Sequence, residues 1–385
     1  MVTPAPRAVA TAGPVLVIGS GLLGASLGLS LRAAGVEVLL EDSSPTSLRL
    51  AQDIGAGVPL ADRPGAAPRL VVVATPPDVA GQCVVEALRT WPEAVVTDVA
   101  SVKEAVAGDV LSAARHERAP DFASRYVGSH PMAGRERSGA GAADADLFYG
   151  RPWVIVAHPG SSASAVLAVR NLAGDVGAFP VELDASSHDR SVALVSHVPQ
   201  LVASLLAARL AEAPSEALGL AGQGLRDTTR IAASDPRLWT SILAGNAGPV
   251  AQLLRELSAD LAELLDHLER AAELGPLRGG SVGAVNRVME AGNRGVARIP
   301  GKHGGAPRRY AELEVLIPDT PGSLGRLFTD LGEICVNIED LVLEHSAGQH
   351  VGLARIMVDP GRHAEAEDAL EKRGWRLITH AGQTR

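Results

Sequence analysis

The sequence predicts an α/β protein in three parts: a Rossmann-type doubly wound sheet, an all-α domain and a C-terminal ferredoxin-like βαββαβ domain. Three observations predict it. Gly19-x-Gly21-x-x-Gly24 stands between the β-branched run VLVI and a helix-like segment. From about Asp184 the apolar residues switch to helical 3.6-residue spacing. About the last 75 residues alternate strand, helix, strand, strand, helix, strand.

In chain order, residues 1–13 read as a disordered head and 14–182 as the dinucleotide-binding domain. There GPVLVIGSGLLGASLGLSLRAAG supplies a strand, a glycine turn and a helix, and VEVLLEDSSP a second strand ending in acids. RLVVVATPP, EAVVTDVAS, SRYVGSHP and RPWVIVAHPG continue a parallel sheet, with helix-like segments between most of them. Residues 183–297 are Ala/Leu-rich helical segments interrupted by Pro or Gly. The Gly-, Pro- and base-rich ARIPGKHGGAPRR places a linker at 298–310. The tail, 311–385, runs AELEVLI, PDTPGSLGRLFTDLGEI, CVNIEDLVLEHS, HVGLARIMVD, GRHAEAEDALEKRG and WRLITH, with AGQ joining the strand pair.

Composition narrows the function. With 385 residues, 46% of them hydrophobic, the chain can bury a large core, and a net charge of −9 argues against nucleic acid as the main partner. No uninterrupted apolar run reaches membrane-spanning length and the first residues lack a secretory pattern, so the expectation is a cytoplasmic protein with no membrane partner. Cys83 and Cys335 lie far apart in apolar stretches and read as buried small hydrophobes. Lysine occurs only at 103, 302 and 372, which singles out Lys103.

The glycine motif is a cofactor signal because each glycine has a physical task. Gly19 permits a tight turn, Gly21 lets backbone approach a pyrophosphate, and Gly24 lets the helix pack on the strand. Leu22 and Leu23 open that helix, whose free N–H groups suit phosphate oxygens. Glu41 or Asp42 follows at the end of the second strand, and alternation from Val36, Val38 and Leu40 favours Asp42. A carboxylate there accepts hydrogen bonds from a ribose 2′-OH and repels a 2′-phosphate, which points to NAD rather than NADP. Thr75 and Pro76 end another strand and suit the nicotinamide side, although Pro76-Pro77 is equally a turn signal.

His130 ends SRYVGSH, at the sheet edge where open α/β sheets bind ligands; an imidazole there exchanges protons near neutral pH, and it also fits an ordinary strand-ending loop. Ser101 follows a neighbouring strand and suits either a ligand contact or the N-cap of a helix over 102–107 with Glu104 as capping-box partner. His197 and Gln200 face one way on an apolar helix loosened by Pro199, and need partners from a ligand or from neighbouring helices. Asp227 and Arg230, three apart, form either an internal salt bridge or an anchor for a substrate carboxylate, while Asp235-Pro236 start the next helix as N-cap and N1.

Taken together, GSGLLGAS, DVASVK, SHPMAGRERSG, SHVPQ and GLRDTTRIAASDPRLW, in this order and spacing, resemble the prephenate dehydrogenase family across about residues 14 to 300. The tail resembles an ACT domain, an amino-acid-sensing module. The resemblance implies an NAD-dependent, metal-free oxidative decarboxylation of prephenate in tyrosine biosynthesis, or of arogenate to tyrosine directly. It makes His130 the acceptor of the 4-hydroxyl proton, Ser101 the residue that orients that hydroxyl, Arg230 the ligand of a substrate carboxylate and His197 a pocket histidine. Glu136, Asp227 and Trp239 match positions that form or gate the pocket, Trp239 from a second subunit of a homodimer joined through the helical domain. Many members read SHLPH where this chain reads SHVPQ, so Gln200 replaces a histidine; its amide accepts from the ammonium of arogenate and offers no cation to the keto acid. In the tail, Asp319, Thr320, Pro321, Gly322, Ser323 and Leu324 match the loop where such domains bind an effector, here an aromatic amino acid such as tyrosine. A non-catalytic Rossmann/ACT sensor and a generic 2-hydroxy-acid dehydrogenase are the competing readings.

Overall fold

The structure is a computed structural model describing residues 9–135, 137–275, 278, 280–300, 310–345 and 351–378; Glu136, most of the expected linker (301–309) and the AGQ connection lie outside them. The N-terminal sheet contains β1 (Val15–Ile18), β2 (Val38–Glu41), β3 (Val58–Pro59), β4 (Leu70–Val73), β5 (Val95–Asp98), β6 (Tyr126–Pro131), β7 (Pro152–Val156) and β8 (Phe179–Glu182). Their spatial order is β3-β2-β1-β4-β5-β6-β7-β8. The order reverses between β1 and β4, which creates the crevice at the strand ends where ligands bind in open α/β sheets. Around the sheet lie α1 (Leu22–Ala33), α2 (Pro45–Asp53), α3 (Pro77–Thr90), α4 (Glu104–His116), α5 (Asp121–Arg125) and α6 (Ala163–Asp175).

The central strands are continuous apolar runs because both faces are covered. Alternation sends Val15, Val17, Leu40 and Val72 into one core, and Leu16, Leu39, Val71 and Val73 into the other. Two strands and one direction differ from the expectation of a purely parallel sheet. β3 is two residues long and all four residues of β8 are exposed, so neither carries a readable apolar pattern. β7 runs antiparallel to β6 because no crossover helix joins them, only a 3₁₀ turn at Ala140–Ala142. The head also differs in part: at residues 10 and 11, both N–H groups and the Thr11 hydroxyl donate to the Asp175 carboxylate, which orders this segment on α6.

The glycine loop is shaped by contact. Gly19 has φ +100° and a Cβ there would lie 2.6 Å from the Ala74 oxygen; a Cβ at Gly24 would lie 1.9 Å from the Gly19 oxygen. Only glycine at 24 lets α1 start this close to β1.

Next come α7 (Ala185–Val192), a π-helical turn (Ala193–His197), α8 (Val198–Ala208), α9 (Ser215–Leu218), α10 (Gln223–Thr229), a 3₁₀ turn (Arg230–Ala232), α11 (Pro236–Gly245), α12 (Ala247–Leu274) and α13 (Ser281–Val296). Asp235 caps α11 through the Arg237 N–H at 2.9 Å, with Pro236 in the first turn, as the sequence predicts. Compact units do not divide at 182/183: residues 1–211 with 229–257 form one, and 212–228 with 258–385 the other. The reason is that α7 packs on α4 and β7, and α11 on α3, which ties this part of the helical region to the sheet.

In the second unit, β9 (Ala311–Pro318), α14 (Ser323–Glu333), β10 (Asp340–His345), β11 (Val351–Val358), α15 (His363–Lys372) and β12 (Arg376–Leu377) follow the expected βαββαβ order, with an antiparallel sheet β10-β11-β9-β12. Cys335 corrects the expectation of burial. It is exposed at φ +54°, in the left-handed turn that ends α14, and the following strand starts only at Asp340.

At the edge of the first sheet sits a fully buried ion pair, Lys103 Nζ with Asp98 Oδ1. The other Asp98 oxygen accepts from the Tyr126 hydroxyl at 2.8 Å. Burial pulls the Lys103 ammonium below its ordinary value and Asp98 opposes that shift. Removing one partner of such a pair leaves an uncompensated charge in the core. Lys103→Met should therefore lower unfolding stability by about 3–5 kcal/mol, read from the urea midpoint; a change under about 0.5 kcal/mol, the size of an ordinary surface substitution, would refute the role given to this pair.

Candidate active site

Four neighbouring strand ends build the site, in the order β1, β4, β5, β6. After the first three come Ser20, Thr75 and Ser101, and each hydroxyl oxygen is buried without a hydrogen-bond partner among the described residues. An unsatisfied buried hydroxyl costs about 1–3 kcal/mol, so three in one row mark a track that a polar ligand completes. The fourth strand ends in half-buried His130.

The first end of the track fits a dinucleotide. A Cβ at Gly21 would meet nothing within 4 Å, and no side chain caps the start of α1, so the N–H groups opened by Leu22 and Leu23 stay available to phosphate. Asp42 lies where the sequence places an acid. Its Oδ2 accepts from Ser20 N–H at 2.6 Å and its Oδ1 from Ser44 N–H at 2.7 Å, which holds a carboxylate at the lip of the glycine loop. Glu41 stays in the strand pairing and points to solvent. Pro76 caps α3 beside Thr75.

Ser101 is not an N-cap. α4 starts at Glu104, and the carboxylate of Asp189, 86 residues away, accepts from the Lys103 N–H at 2.9 Å and from the Glu104 N–H at 2.9 Å. A carboxylate suits a helix N-terminus, and with that place taken the Ser101 hydroxyl is left to a ligand. Asp189 also holds His188, whose Nδ1–H donates to Oδ1 at 2.7 Å. The His188 Nε2 then lies 2.8 Å from the Nδ1 of His130. In neutral rings this order puts the His130 proton on Nδ1, and its Nε2 has no partner among the described residues. Burial first, then the charges of His188, Lys103 and His197, hold His130 well below the ordinary histidine value. The result is a neutral imidazole with one nitrogen open as a proton acceptor.

His197 and Gln200 are both buried, as the sequence pattern requires. Nine residues of α-helix make about two and a half turns, which would place His188 and His197 on opposite sides. The π turn, closed by the Val198 N–H on the Ala193 oxygen, widens the helix and corrects this. Pro199, which lacks an N–H, favours that break. His197 Nδ1 lies 3.0 Å from the amide nitrogen of Asn246, and its ring meets Trp239 edge-on with centroids 6.1 Å apart. Gln200 Nε2 reaches the Ser204 hydroxyl at 3.4 Å. The turn that carries exposed Arg230 packs on α8, the helix of Gln200. Asp227 is exposed in the other compact unit, where its carboxylate accepts from Gln223 at 2.7 Å. Glu136 lies outside the described residues. The Asp319–Leu324 loop, with Ile317 and Leu343, lines a separate cavity of about 400 Å³ in the C-terminal domain.

Three contributors were not singled out from the sequence: His188, Asp189 and Asn246. The first two share the buried face of α7 with Val192, and nothing in the run DASSHDRSV sets them apart from its other polar residues. Asn246 sits in AGNAGP, which reads only as a helix break.

Comparison with known proteins agrees with this fold. Residues 27–181 match the model for the prephenate dehydrogenase nucleotide-binding domain, and residues 184–274 the model for the prephenate dehydrogenase dimerization domain. The chain is 35% identical to the probable prephenate dehydrogenase NovF of Streptomyces niveus, over 94% of this chain and 98% of that one. The prephenate dehydrogenase of Bacillus subtilis is 25% identical over 93% and 96%. Among solved structures, Aquifex aeolicus prephenate dehydrogenase in complex with hydroxyphenyl propionate and NAD+ superposes with a TM-score of 0.62 at 26% identity, covering 73% of this chain and 96% of that one. Synechocystis arogenate dehydrogenase gives 0.57 at 25%, covering 73% and 98%.

Burial lowers His197 to about 4. Its folded value thus lies below the unfolded 6.5, so the unfolded chain takes the proton first, and the stability it permits is complete above pH 6.5 and lost as pH falls toward 4. Ring ¹⁵N NMR should place the His197 midpoint at about 4, and His197→Asn should make the acid loss of stability less steep. A midpoint at 6.5 or above would contradict the burial argument.

Proposed function

The chain belongs to the prephenate dehydrogenase family, and from that premise we propose that it catalyses the NAD+-dependent oxidative decarboxylation of prephenate to 4-hydroxyphenylpyruvate in tyrosine biosynthesis. The observation that carries the reading is His130, a neutral acceptor at the end of a row of unpartnered hydroxyls. NAD+, when bound, supplies the acceptor for the hydride leaving the ring carbon that bears the 4-hydroxyl. Ser20 and Thr75, with the Gly21 backbone and the start of α1, hold the dinucleotide, and Asp42 takes the ribose hydroxyl in preference to a 2′-phosphate.

His130 Nε2 accepts the 4-hydroxyl proton as that carbon becomes a carbonyl. Ser101, with its hydroxyl uncommitted, orients the reacting oxygen. The ring carboxylate leaves as CO2, the electrons of its bond aromatise the ring, and the oxygen takes back the proton held by His130 to give the phenol. Arg230 binds a substrate carboxylate through charge-assisted hydrogen bonds. His197, Gln200 and Trp239 line the pocket around the side chain.

A specific observation favours arogenate as the second reading. The Gln200 amide nitrogen is directed to Ser204, which leaves its oxygen to accept from an ammonium.

The family's dimerization domain supports a homodimer, and so does the apolar surface on α8 and the turn before it: Leu194, Val195 and Leu205 are each more than 60% exposed. By length and composition, 185–208 would also cross a membrane. Its other face carries buried His188, Asp189, His197 and Gln200, so we assign it to a dimer interface in a cytoplasmic enzyme. The C-terminal domain acts as an ACT-type sensor: the cavity at Asp319–Leu324 combines the Thr320 and Ser323 hydroxyls with Ile317 and Leu343, a lining suited to an aromatic amino acid such as tyrosine.

Turnover, a variant and a pH profile test the catalytic reading. Purified protein with NAD+ and prephenate should form NADH and 4-hydroxyphenylpyruvate, and silence with both prephenate and arogenate would overturn the assignment. His130→Asn should lower kcat roughly 10²- to 10⁴-fold, and in the native enzyme kcat/KM should hold its neutral value below pH 6.5, because His130 protonates only under that point. For the sensor, isothermal titration of tyrosine into the full chain should release heat that Ser323→Ala and Thr320→Ala weaken; no heat with any aromatic amino acid would remove the effector from the proposal.

A further inference from the structure

We infer that Asn246 is a positioning residue that fixes His197 as an Nε2–H donor, the tautomer opposite to that of His130, and that Asp189 directs both rings. The inference rests on the reading of both histidines as substrate-facing groups of this dehydrogenase.

Asn246 lies at the junction of α11 and α12 and is 2% exposed. Its Nδ2 is 2.8 Å from the main-chain oxygen of Asp189 and 3.0 Å from His197 Nδ1. A carbonyl oxygen only accepts, so the amide group facing it is the NH₂. Its second N–H is then directed at His197 Nδ1, which must present a lone pair. In the neutral ring the proton therefore sits on Nε2. The amide does not work the other way round: rotation would set Oδ1 against the Asp189 oxygen and leave a buried NH₂ without an acceptor. Among the described residues Asn246 Oδ1 has no partner that would favour that rotation.

Asp189 thus acts through two different groups. Its carboxylate, through His188, leaves the lone pair of His130 on Nε2; its carbonyl, through Asn246, leaves the lone pair of His197 on Nδ1. One ring is set to take a proton from the substrate. The other is set to give a hydrogen bond, and as a neutral donor it suits a carboxylate or keto oxygen and not an ammonium.

The experiment uses the full chain labelled with ¹⁵N-histidine, with ring nitrogen spectra at neutral pH assigned by the loss of signals in His197→Asn and His130→Asn. The expected result is His197 protonated at Nε2 and His130 at Nδ1. Asn246→Asp, which offers an acceptor of the same shape, should move the His197 proton to Nδ1. Asn246→Ala should raise KM about tenfold while kcat falls less than about threefold, the size expected for one lost hydrogen bond in binding. His197 protonated at Nδ1 in the native protein, or a ring spectrum unmoved by Asn246→Asp, overturns the inference. If the variants do not fold, the native spectrum decides alone. Absence of turnover with prephenate and arogenate would sink the functional reading, whereas the spectra judge the tautomers independently of activity.

Discussion

The carboxylate of Asp189 is the interaction on which the site depends. It is 1% exposed, and its charge is met by two main-chain N–H groups at the start of α4 and by the Nδ1–H of His188. Each partner does double duty. The N–H groups would otherwise be unsatisfied at a buried helix end, and substituting an N-cap side chain typically costs about 0.5–2 kcal/mol. By occupying them from α7, Asp189 ties the helical region to the nucleotide-binding sheet at the point where chemistry is to occur. The same contact frees Ser101 from capping and holds the histidine that sets His130. A contact that stabilises a fold and a contact that orients an acceptor are here one contact.

That arrangement leaves an uneven distribution of satisfied and unsatisfied groups. Behind the strand ends a polar cluster is fully paired: Asp98 with Lys103, Tyr126 and the Ala100 N–H, and Ser129 with Thr97 and the Asp98 oxygen. In front of them, the hydroxyl oxygens of Ser20, Thr75 and Ser101 are buried and unpaired among the described residues. Native proteins seldom leave such groups without a reason. The paired layer fixes the strand ends rigidly, and the unpaired layer then recovers its hydrogen bonds only from a bound molecule. Rigidity behind and deficit in front are what a preorganised site requires.

Much of this was legible in the sequence wherever a local rule has one outcome. Gly19, Gly21 and Gly24 between a strand and a helix admit few alternatives, and the structure supplies the clash at Gly24 and the open space at Gly21 that explain two of them. Asp42 was separable from Glu41 by alternation alone. Ser101 was left between two roles by its local pattern, because a serine three residues before a glutamate is a sound capping box, and what takes the capping role is a carboxylate far along the chain. His188 and Asp189 were hidden for a related reason: in α7 they are two polar residues among several, and only tertiary contact shows that their face is buried. β7 was misdirected because direction depends on the connection and not on the strand's own residues. Asn246 was beyond reach, since a residue at a helix break gives no sign of which way its amide turns.

Under the proposed function, specificity follows from the charge state of the pocket. His130 and His197 are both held below the ordinary histidine value by burial, so neither offers a cation at neutral pH. Gln200, where a histidine is common in the family, offers none either. In the proposed complex the side chain of the substrate is therefore met by neutral dipoles, and the anchoring charge is left to Arg230. A carboxylate is present in both prephenate and arogenate, so Arg230 does not distinguish them. What distinguishes them is whether the side-chain nitrogen or oxygen finds an acceptor or a donor. The Gln200 oxygen serves an ammonium and the His197 Nε2–H serves a keto oxygen, each for about the 0.5–1.5 kcal/mol of a single neutral hydrogen bond. Two opposed preferences of that size nearly cancel, so a change of tautomer at His197 or of amide orientation at Gln200 is sufficient to turn the pocket toward one substrate.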